Sequence, residues 1–356
     1  MYPADVSRMA HLCFCAAMAM MAAYGDGAPR RTAVAERRIL RVPSEAAALG
    51  ESIGYWVVDS GRPGPVLAVV AEQHGNELSG VVSVRDFVRK AEREIVRGKV
   101  IGVPFMNPQA ARRRMPSADL SACQPYIQST HNMQTLWSSP DANGTARLAD
   151  AIWNGILAQA DCILDIHCYP KFCAPVAAVR DSPEGKSLGA ASGMRFVRAI
   201  PEADDWKGHI RTRACREGKL SLGIELSGQF ETFPAEVSRG VTVAANTARH
   251  LGIFAGAPEP APGGTLSPAG QRDVYAPAAG LFVKEDLRPG DYVEAGRRLG
   301  YVLVETTLEE VPVTAPVAGY LMRFAGRADC DVDLRDHSAY VFLDDLVAKI
   351  LPAPKR

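Results

Sequence analysis

Short continuous apolar runs alternate along the chain with longer segments whose apolar residues recur at helical spacing. The first run, Val66–Ala71, is typical of a strand buried on both faces. Residues 78–96 then carry apolar positions on one helical face, and Gly98 ends that segment before a second apolar run at residues 100–105. This order predicts a βαβ unit.

The same alternation continues through the next 150 or so residues, roughly the length that one domain contributes. A helical pattern at residues 146–159 leads into the apolar run CILDIH, and the runs MRFVRAI and LSLGIEL precede a helical pattern at residues 234–251. Strands that alternate with helices predict an α/β fold with a mainly parallel sheet and helices on both faces. Ligands of such sheets bind beyond the carboxyl ends of the strands, where residues 73–77, His167 and Glu225 would lie.

The pattern changes after residue 255. Residues 256–273 are rich in Pro and Gly and lack periodicity, which is typical of a linker. Beyond them APAAGL at residues 276–281 recurs as APVAGY at residues 315–320, and a β-like run follows each copy. We therefore predict an N-terminal extension (1–35), an α/β domain (36–255), a linker (256–273) and a small C-terminal β-sandwich (274–350).

The predicted sandwich is similar to the lipoyl and biotinyl carrier fold. In that fold a Lys at a hairpin tip carries the prosthetic group, but the corresponding tip here, ETTLEEV, has no Lys. We expect no covalent cofactor and interpret this lipoyl-like half-barrel as a packing or oligomerisation module. A homo-oligomer stays open as an alternative to a monomer.

Composition excludes several classes of partner. Forty Lys+Arg residues balance forty Asp+Glu residues without a long basic run, which argues against nucleic acid as the main partner. Apart from the N-terminus, no apolar run approaches the ~20 residues that span a bilayer, so no integral membrane segment is expected. Neither a Gly-rich dinucleotide loop nor a P-loop motif occurs, so no nucleotide cofactor is predicted.

Cysteine usage favours a cytoplasmic protein. The chain has 8 Cys residues and no C-x-x-C pair, which indicates reduced thiols rather than a disulfide scaffold. The N-terminal stretch LCFCAAMAMMAA has the length of the apolar part of a signal peptide, but Asp5 precedes it where positive charge is expected. A secretory signal is therefore the alternative, and a disordered extension or an upstream false start is preferred.

Candidate metal ligands follow the first predicted strand. His74 and Glu77 are three residues apart at a strand-to-helix turn, so both side chains can face one point. His167 ends the strand CILDIH at the same edge, and Asp165 points to the same side, where it could hold a ligand. A catalytic zinc site needs three such N/O ligands and one open position. Each residue taken singly has an ordinary structural explanation, a helix cap or a structural His.

Taken together and in this order, the motifs resemble those of the succinylglutamate desuccinylase/aspartoacylase family of zinc-carboxypeptidase-like hydrolases. The similarity covers HGNE, D-I-H, I-E-L-S-G and the helix after it, within residues 38–255. It implies that His74, Glu77 and His167 bind one Zn²⁺ and that Glu225 is the general base and acid. It also implies hydrolysis of a small acyl group from an N-acyl substrate.

Two segments depart from the family pattern. The motif NPQA at residues 107–110 is followed by three Arg residues, of which Arg114 is our choice as the oxyanion stabiliser implied by the resemblance. Members of the family also carry an Asn-Arg pair that binds a substrate carboxylate. In one alignment Gln134 and Thr135 stand at these two positions, and in the other the segment DLSA at residues 119–122 does; neither segment contains the pair.

Thr cannot replace the charged planar fork of Arg. We therefore expect weak recognition of a free amino-acid carboxylate, unless Arg112, Arg113 or Lys171 takes over the role. The missing pair motivates a second hypothesis, a weakened or inactive relative that binds a ligand and retains the metal.

Two further hypotheses concern the chemistry. A carboxypeptidase-type hydrolase would share the zinc and differ in the pocket. A thiol dyad of Cys168 with His167 is geometrically poor, because adjacent strand residues point to opposite faces.

Overall fold

One mixed sheet dominates the part of the chain that the computed structural model describes, which comprises residues 33–42, 51–119, 129–139, 143–205, 208–324 and 339–353. Its eight strands in these ranges are β1 (Ala35–Val42), β2 (Glu51–Asp59), β3 (Val66–Ala71), β4 (Lys99–Val103), β5 (Cys162–Tyr169), β6 (Val176–Arg180), β7 (Val197–Ile200) and β8 (Leu220–Ser227). The α-helices of the same ranges are α1 (Leu78–Glu94), α2 (Pro108–Arg113), α3 (Gly144–Gly155), α4 (Pro183–Ala191), α5 (Ile210–Arg216) and α6 (Pro234–His250).

The strand order is β1-β2-β4-β3-β5-β8-β6-β7, and the four central strands β4, β3, β5 and β8 run parallel. At one side β2 is antiparallel to β4 and pairs with β1, and at the other β6 is antiparallel to β8 and parallel to β7. The parallel centre brings the carboxyl ends of β3, β5 and β8 to one edge of the sheet. The predicted fold class, a mainly parallel sheet covered by helices, is confirmed.

The central strands are apolar because both of their faces are covered. Along β3, Leu67 and Val69 belong to one hydrophobic core, whereas Ala68 and Val70 belong to a second core on the opposite face. Successive strand residues point to opposite faces, so a continuous apolar run supplies both cores. Helix α1 packs against α6 over the first core.

The C-terminal residues form two antiparallel four-stranded sheets within the described ranges, as the predicted β-sandwich requires. Their strands are β9 (Arg272–Tyr275), β10 (Gly280–Lys284), β11 (Tyr292–Val293), β12 (Arg298–Leu303), β13 (Glu310–Thr314), β14 (Gly319–Phe324), β15 (Tyr340–Val341) and β16 (Leu346–Pro352). The two copies of the sequence repeat lead into β10 and β14, which lie in different sheets.

The sandwich packs on the segment that follows β5. The Ala174 N–H donates to the Met322 carbonyl at 2.7 Å, and the Phe324 N–H donates to the Phe172 carbonyl at 2.9 Å. Phe196 and Leu351 join the small apolar cluster between them. Strand β14 of the sandwich therefore contacts the chain just beyond the strand that carries His167.

Several sequence predictions stay predictions. The domain boundaries and the homo-oligomer are untested, and residues 1–32 of the predicted N-terminal extension lie outside the described residues. A search of the described helices found none with the length and apolar character needed to cross a membrane.

The turn between β3 and α1 packs tightly against α2. A Cβ on Gly75 would lie 2.2 Å from the backbone carbonyl carbon of Ala110, and the Gly75 N–H donates to the Met115 carbonyl at 3.1 Å. Only a residue without a side chain fits at this contact, so Gly75 fixes the path of the chain between His74 and Glu77.

We predict that Gly75→Ala lowers the free energy of unfolding by about 1–3 kcal/mol, the usual cost of overpacking a rigid contact. Gly54→Ala is the matched control, because a Cβ at Gly54 on β2 would meet nothing within 4 Å. Urea unfolding measures both variants. Equal midpoints for Gly75→Ala and the unsubstituted protein would contradict the packing account.

Candidate metal centre and adjoining cavity

Three buried side chains converge at the carboxyl edge of the sheet. The ligand atoms that His74, Glu77 and His167 offer all lie within 4.8 Å of one another. The two imidazole centroids are 5.1 Å apart. The sequence proposed these three residues together, and the structure brings them together.

The strand-to-helix turn positions the first two. Glu77 is the N-cap of α1, yet its side chain makes no cap hydrogen bond and turns toward the two imidazoles instead. Asn107 of the NPQA motif holds the turn from the other side. Its Nδ2 donates to the Gln73 carbonyl at 3.0 Å, and its N–H donates to the Glu72 carbonyl at 3.0 Å.

Both imidazoles direct the same nitrogen at one carboxylate. His74 Nδ1 lies 2.8 Å from Glu77 Oε1, and His167 Nδ1 lies 3.0 Å from Glu77 Oε2. Their opposite nitrogens face other acceptors: His74 Nε2 lies 3.0 Å from Asn132 Oδ1, and His167 Nε2 lies 2.9 Å from Asp165 Oδ2.

This outer contact pattern fits a bound cation. When Nε2–H donates to Asn132 or Asp165, the neutral ring presents a lone pair at Nδ1. In this tautomer two lone pairs and the Glu77 carboxylate are three acceptors that meet at one place, an arrangement that a bound cation satisfies. Metal-bound His residues are commonly oriented by such outer acceptors. The group therefore suggests a metal site.

The network extends further into the core. Gln73 Nε2 donates to Asp165 Oδ2 at 2.7 Å, and Trp137 Nε1 donates to Gln73 Oε1 at 2.7 Å. All of these side chains are buried. Each donor is used by a specific acceptor, so the orientation of Asp165, and through it that of His167, is fixed.

The charges in this network compensate one another. Burial alone would raise the pKa of Glu77, but the His74 and His167 imidazoles hold that pKa below its ordinary value. Burial alone would lower the pKa of His167, but the Asp165 and Glu77 carboxylates hold it well above its ordinary value. The buried carboxylates and imidazoles therefore stabilise each other's charged forms.

Glu72 is a buried carboxyl that the sequence analysis missed. Its oxygens have no hydrogen-bond partner, and its backbone φ of 61° lies in the left-handed region. Burial, with the nearby Glu77 carboxylate as a second cause, raises the pKa of Glu72 to about 8. It is therefore mostly protonated at neutral pH, which avoids a second unpaired buried charge beside Glu77.

Glu225 stands beside His167 because of strand register. The two residues are paired in the parallel ladder between β5 and β8, where neighbouring strands lie about 4.8 Å apart. Both line a cavity of about 420 Å³. Its described lining residues are Gln134, His167, Tyr169, Val176, Ala178, Arg198, Ala199, Ile200, Pro201, Asp204, Asp205, His209, Arg211, Gly223, Ile224 and Glu225.

The basic residues that were chosen from the sequence lie outside the described lining of this cavity. Arg112, Arg113, Arg114 and Lys171 are all exposed and are absent from the described lining of the cavity. Arg114 ends α2 with a φ of 60°, and its N–H donates to the carbonyls of the preceding turn. Its role as oxyanion stabiliser stays a prediction.

Gln134 and Thr135, the predicted replacements of the Asn-Arg pair, behave differently from each other. Gln134 lines the cavity and faces His209 Nε2 at 3.2 Å. The Thr135 hydroxyl donates to the Asn132 carbonyl at 3.0 Å and serves its own turn. The alternative alignment, residues 119–122, lies outside the described residues from residue 120 onward.

The sequence analysis also missed the wall formed by the start of α5. His209 caps this helix, with its Nδ1 accepting the Arg211 N–H at 3.2 Å. Burial, assisted by the Arg211 charge, lowers the pKa of His209 to about 3, so the ring is neutral. Arg211 is buried against Asp205. Only the His residue type signals this wall in the sequence, because the residues come from a loop and a short helix.

Cys168 has the position expected of a structural thiol. It is buried in the hydrophobic core on the face of the sheet opposite His167, and burial raises its pKa well above the ordinary value. Such a thiol is a poor nucleophile.

Residues 63–251 match the family model described as the succinylglutamate desuccinylase/aspartoacylase catalytic domain. A curated relative is the N-alpha-acetyl-L-2,4-diaminobutyric acid deacetylase of Halomonas elongata, 27% identical over 224 residues. That match covers 57% of this chain and 59% of the relative, which is less than two thirds of the relative's length.

Similar solved structures cover nearly the whole chain. The product-bound ectoine utilization protein EutE (DoeB) of Ruegeria pomeroyi has a TM-score of 0.66 at 20% identity, over 92% of this chain and 98% of that one. A succinylglutamate desuccinylase/aspartoacylase of Rhodobacter sphaeroides has a TM-score of 0.64 at 21% identity, over 93% and 99%. At these identities the likeness establishes the shared fold.

We predict that Asp165→Asn lowers metal affinity by about 10–100-fold, because the carboxylate that orients His167 Nε2 is lost. Asp150→Asn on the surface of α3 is the control and should bind metal like the unsubstituted protein. Competition with a chelator of known affinity measures the dissociation constants. Unchanged affinity in Asp165→Asn would show that the contact does not support the metal site.

Proposed function

Because the chain belongs to the succinylglutamate desuccinylase/aspartoacylase family, we propose that it is a zinc-dependent deacylase. The proposed reaction removes a small acyl group from an N-acylated amine or amino-acid-like substrate. The observation that carries this proposal is the convergence of two imidazoles and one carboxylate, whose ligand atoms lie within 4.8 Å of one another, at the edge of a cavity that Glu225 also lines.

The donor set supports zinc as the metal. His74, Glu77 and His167 would hold it, and a His₂Glu set with an open fourth position is a recurring catalytic zinc site. When bound, zinc would lower the pKa of water toward ~7 and polarise the acyl carbonyl.

Glu225 is the proposed general base and acid. In this role its carboxylate accepts a proton from the attacking water as the new C–O bond forms, and it delivers a proton to the nitrogen as the C–N bond breaks. The products are a carboxylate and a free amine. Glu225 is only half-buried and lies beside His167 in the ladder, which suits a group that must reach both the centre and the cavity.

The proposal also includes the cellular compartment, which we infer to be the cytoplasm. Cys162 and Cys168 are buried thiols without a disulfide, which supports a reducing, cytoplasmic setting.

For the metal, we expect about one zinc per chain, most of which is lost in His74→Ala and in His167→Ala because a three-ligand site is left under-coordinated. His250→Ala is the control, since His250 ends α6 outside the proposed ligand group. Elemental analysis of purified protein measures the zinc. Equal zinc in all four proteins would overturn the ligand assignment.

For the chemistry, we expect Glu225→Gln to keep its zinc and to lower kcat by roughly 10²–10⁴, the usual contribution of a positioned acid/base. Suitable substrates are N-acetyl-L-2,4-diaminobutyrate, N-acetyl-L-aspartate and N-succinyl-L-glutamate, with release of the amine as the assay. Glu217→Gln, at the exposed end of α5, is the control. An unchanged kcat in Glu225→Gln would remove Glu225 from the mechanism.

Zinc-loaded protein that turns over none of these compounds would instead favour the alternative, a metal-containing ligand-binding relative. That outcome is separable from an incorrect metal site, because zinc content is measured on the same samples.

A further inference from the structure

We propose that Arg198 binds the carboxylate of the substrate's amino-acid part and so determines which N-acyl compounds the cavity accepts. This inference rests on the proposed deacylase function and names its substrate class, N-acyl amino acids with a free carboxylate. It reverses the expectation from the sequence that a free amino-acid carboxylate is recognised weakly, which rested on the missing Asn-Arg pair.

Among the described lining residues two carry a guanidinium group, and of these only Arg211 is paired with a carboxylate. Arg211 is buried, and its Nη2 and Nε lie 2.7 and 3.3 Å from the two oxygens of Asp205. A guanidinium paired side-on with a carboxylate has little net charge left for a ligand. Arg211 therefore shapes the wall and leaves anion binding to another residue.

Arg198 is the residue that is available to bind an anion. It lies on β7, paired with Ala178 of β6, and its exposed side chain has no hydrogen bond or ion pair within the described part of the chain. A guanidinium can bind a carboxylate with two parallel charge-assisted hydrogen bonds.

The other lining residues make recognition of an anion depend on Arg198. Among the described lining residues, Asp204 and Glu225 are the acids outside the Arg211–Asp205 pair, so this part of the lining has no excess of positive charge. Apart from the proposed metal, the Arg198 guanidinium is the positive group of the described lining that forms no ion pair with a carboxylate in the described part of the chain. Val176, Ala178 and Ile200 supply an apolar wall next to it.

The position of Arg198 also suits the size of such a substrate. Arg198, Tyr169 and Val176 line both the cavity beside the metal centre and a second cavity of about 480 Å³, which Met322 and Lys349 of the sandwich also line. Arg198 thus stands where the two cavities meet. We place the amino-acid part of the substrate at this junction, with its acyl amide at the metal centre.

The test compares N-acetyl-L-2,4-diaminobutyrate with its primary carboxamide, which differs only in the lost carboxylate charge. In Arg198→Gln the ratio of kcat/KM for the acid to that for the carboxamide should fall about 10–100-fold, mainly through KM of the acid. Arg198→Lys should recover part of the ratio, since it restores charge without the planar fork. Arg37→Gln on the exposed edge strand β1 is the matched control.

A second experiment separates this inference from the proposed function. Calorimetry measures how tightly the same two compounds bind to the zinc-loaded Glu225→Gln protein, with and without Arg198→Gln. Tighter binding of the acid that depends on Arg198, together with no deacylase activity in the unsubstituted zinc-loaded protein, would support the inference and overturn the proposed function. Active protein whose acid-to-carboxamide ratio is the same in Arg198→Gln would overturn the inference alone. Failure of both compounds to bind would also overturn it.

Discussion

The buried carboxylate of Glu77 is the constraint on which the site depends. A carboxylate removed from water is stable only when charge and hydrogen bonds compensate it. Here the carboxylate faces the Nδ1 atoms of two imidazoles, at 2.8 and 3.0 Å, so a positive charge shared among the three groups supplies that compensation. Their outer nitrogens in turn need acceptors, which explains why Asn132 and Asp165 are buried around them. The same arrangement leaves a cation as the natural occupant of the centre.

The scaffold provides this arrangement through backbone geometry. The parallel ladder pairs His167 with Glu225, and the close contact at Gly75 fixes the turn that carries the other two proposed ligands. The sandwich packs against the segment after β5 through the hydrogen bond from Ala174 to Met322. The proposed metal ligands therefore sit near the carboxyl ends of the parallel strands, and part of the cavity wall comes from loops, a short helix and the edge strand β7.

Much of this could be predicted from the sequence, and the exceptions have physical reasons. Long apolar runs fix strands such as Val66–Ala71, and the spacing of His74 and Glu77 reflects one local turn. Asn132 and Arg198 were missed because their roles arise from contacts between residues far apart in the chain. The edge strand β1 was also missed, since its sequence AERRILRV is half charged, is mostly exposed and carries no long apolar run.

The central claim is that His74, Glu77 and His167 hold a zinc ion through both Nδ1 atoms and the carboxylate. A crystal structure with anomalous diffraction measured on either side of the zinc absorption edge tests it most directly. The account predicts one zinc-specific peak at about 2.0–2.2 Å from each of His74 Nδ1, His167 Nδ1 and a Glu77 oxygen. A zinc peak elsewhere, or one coordinated by either Nε2 atom, would contradict it.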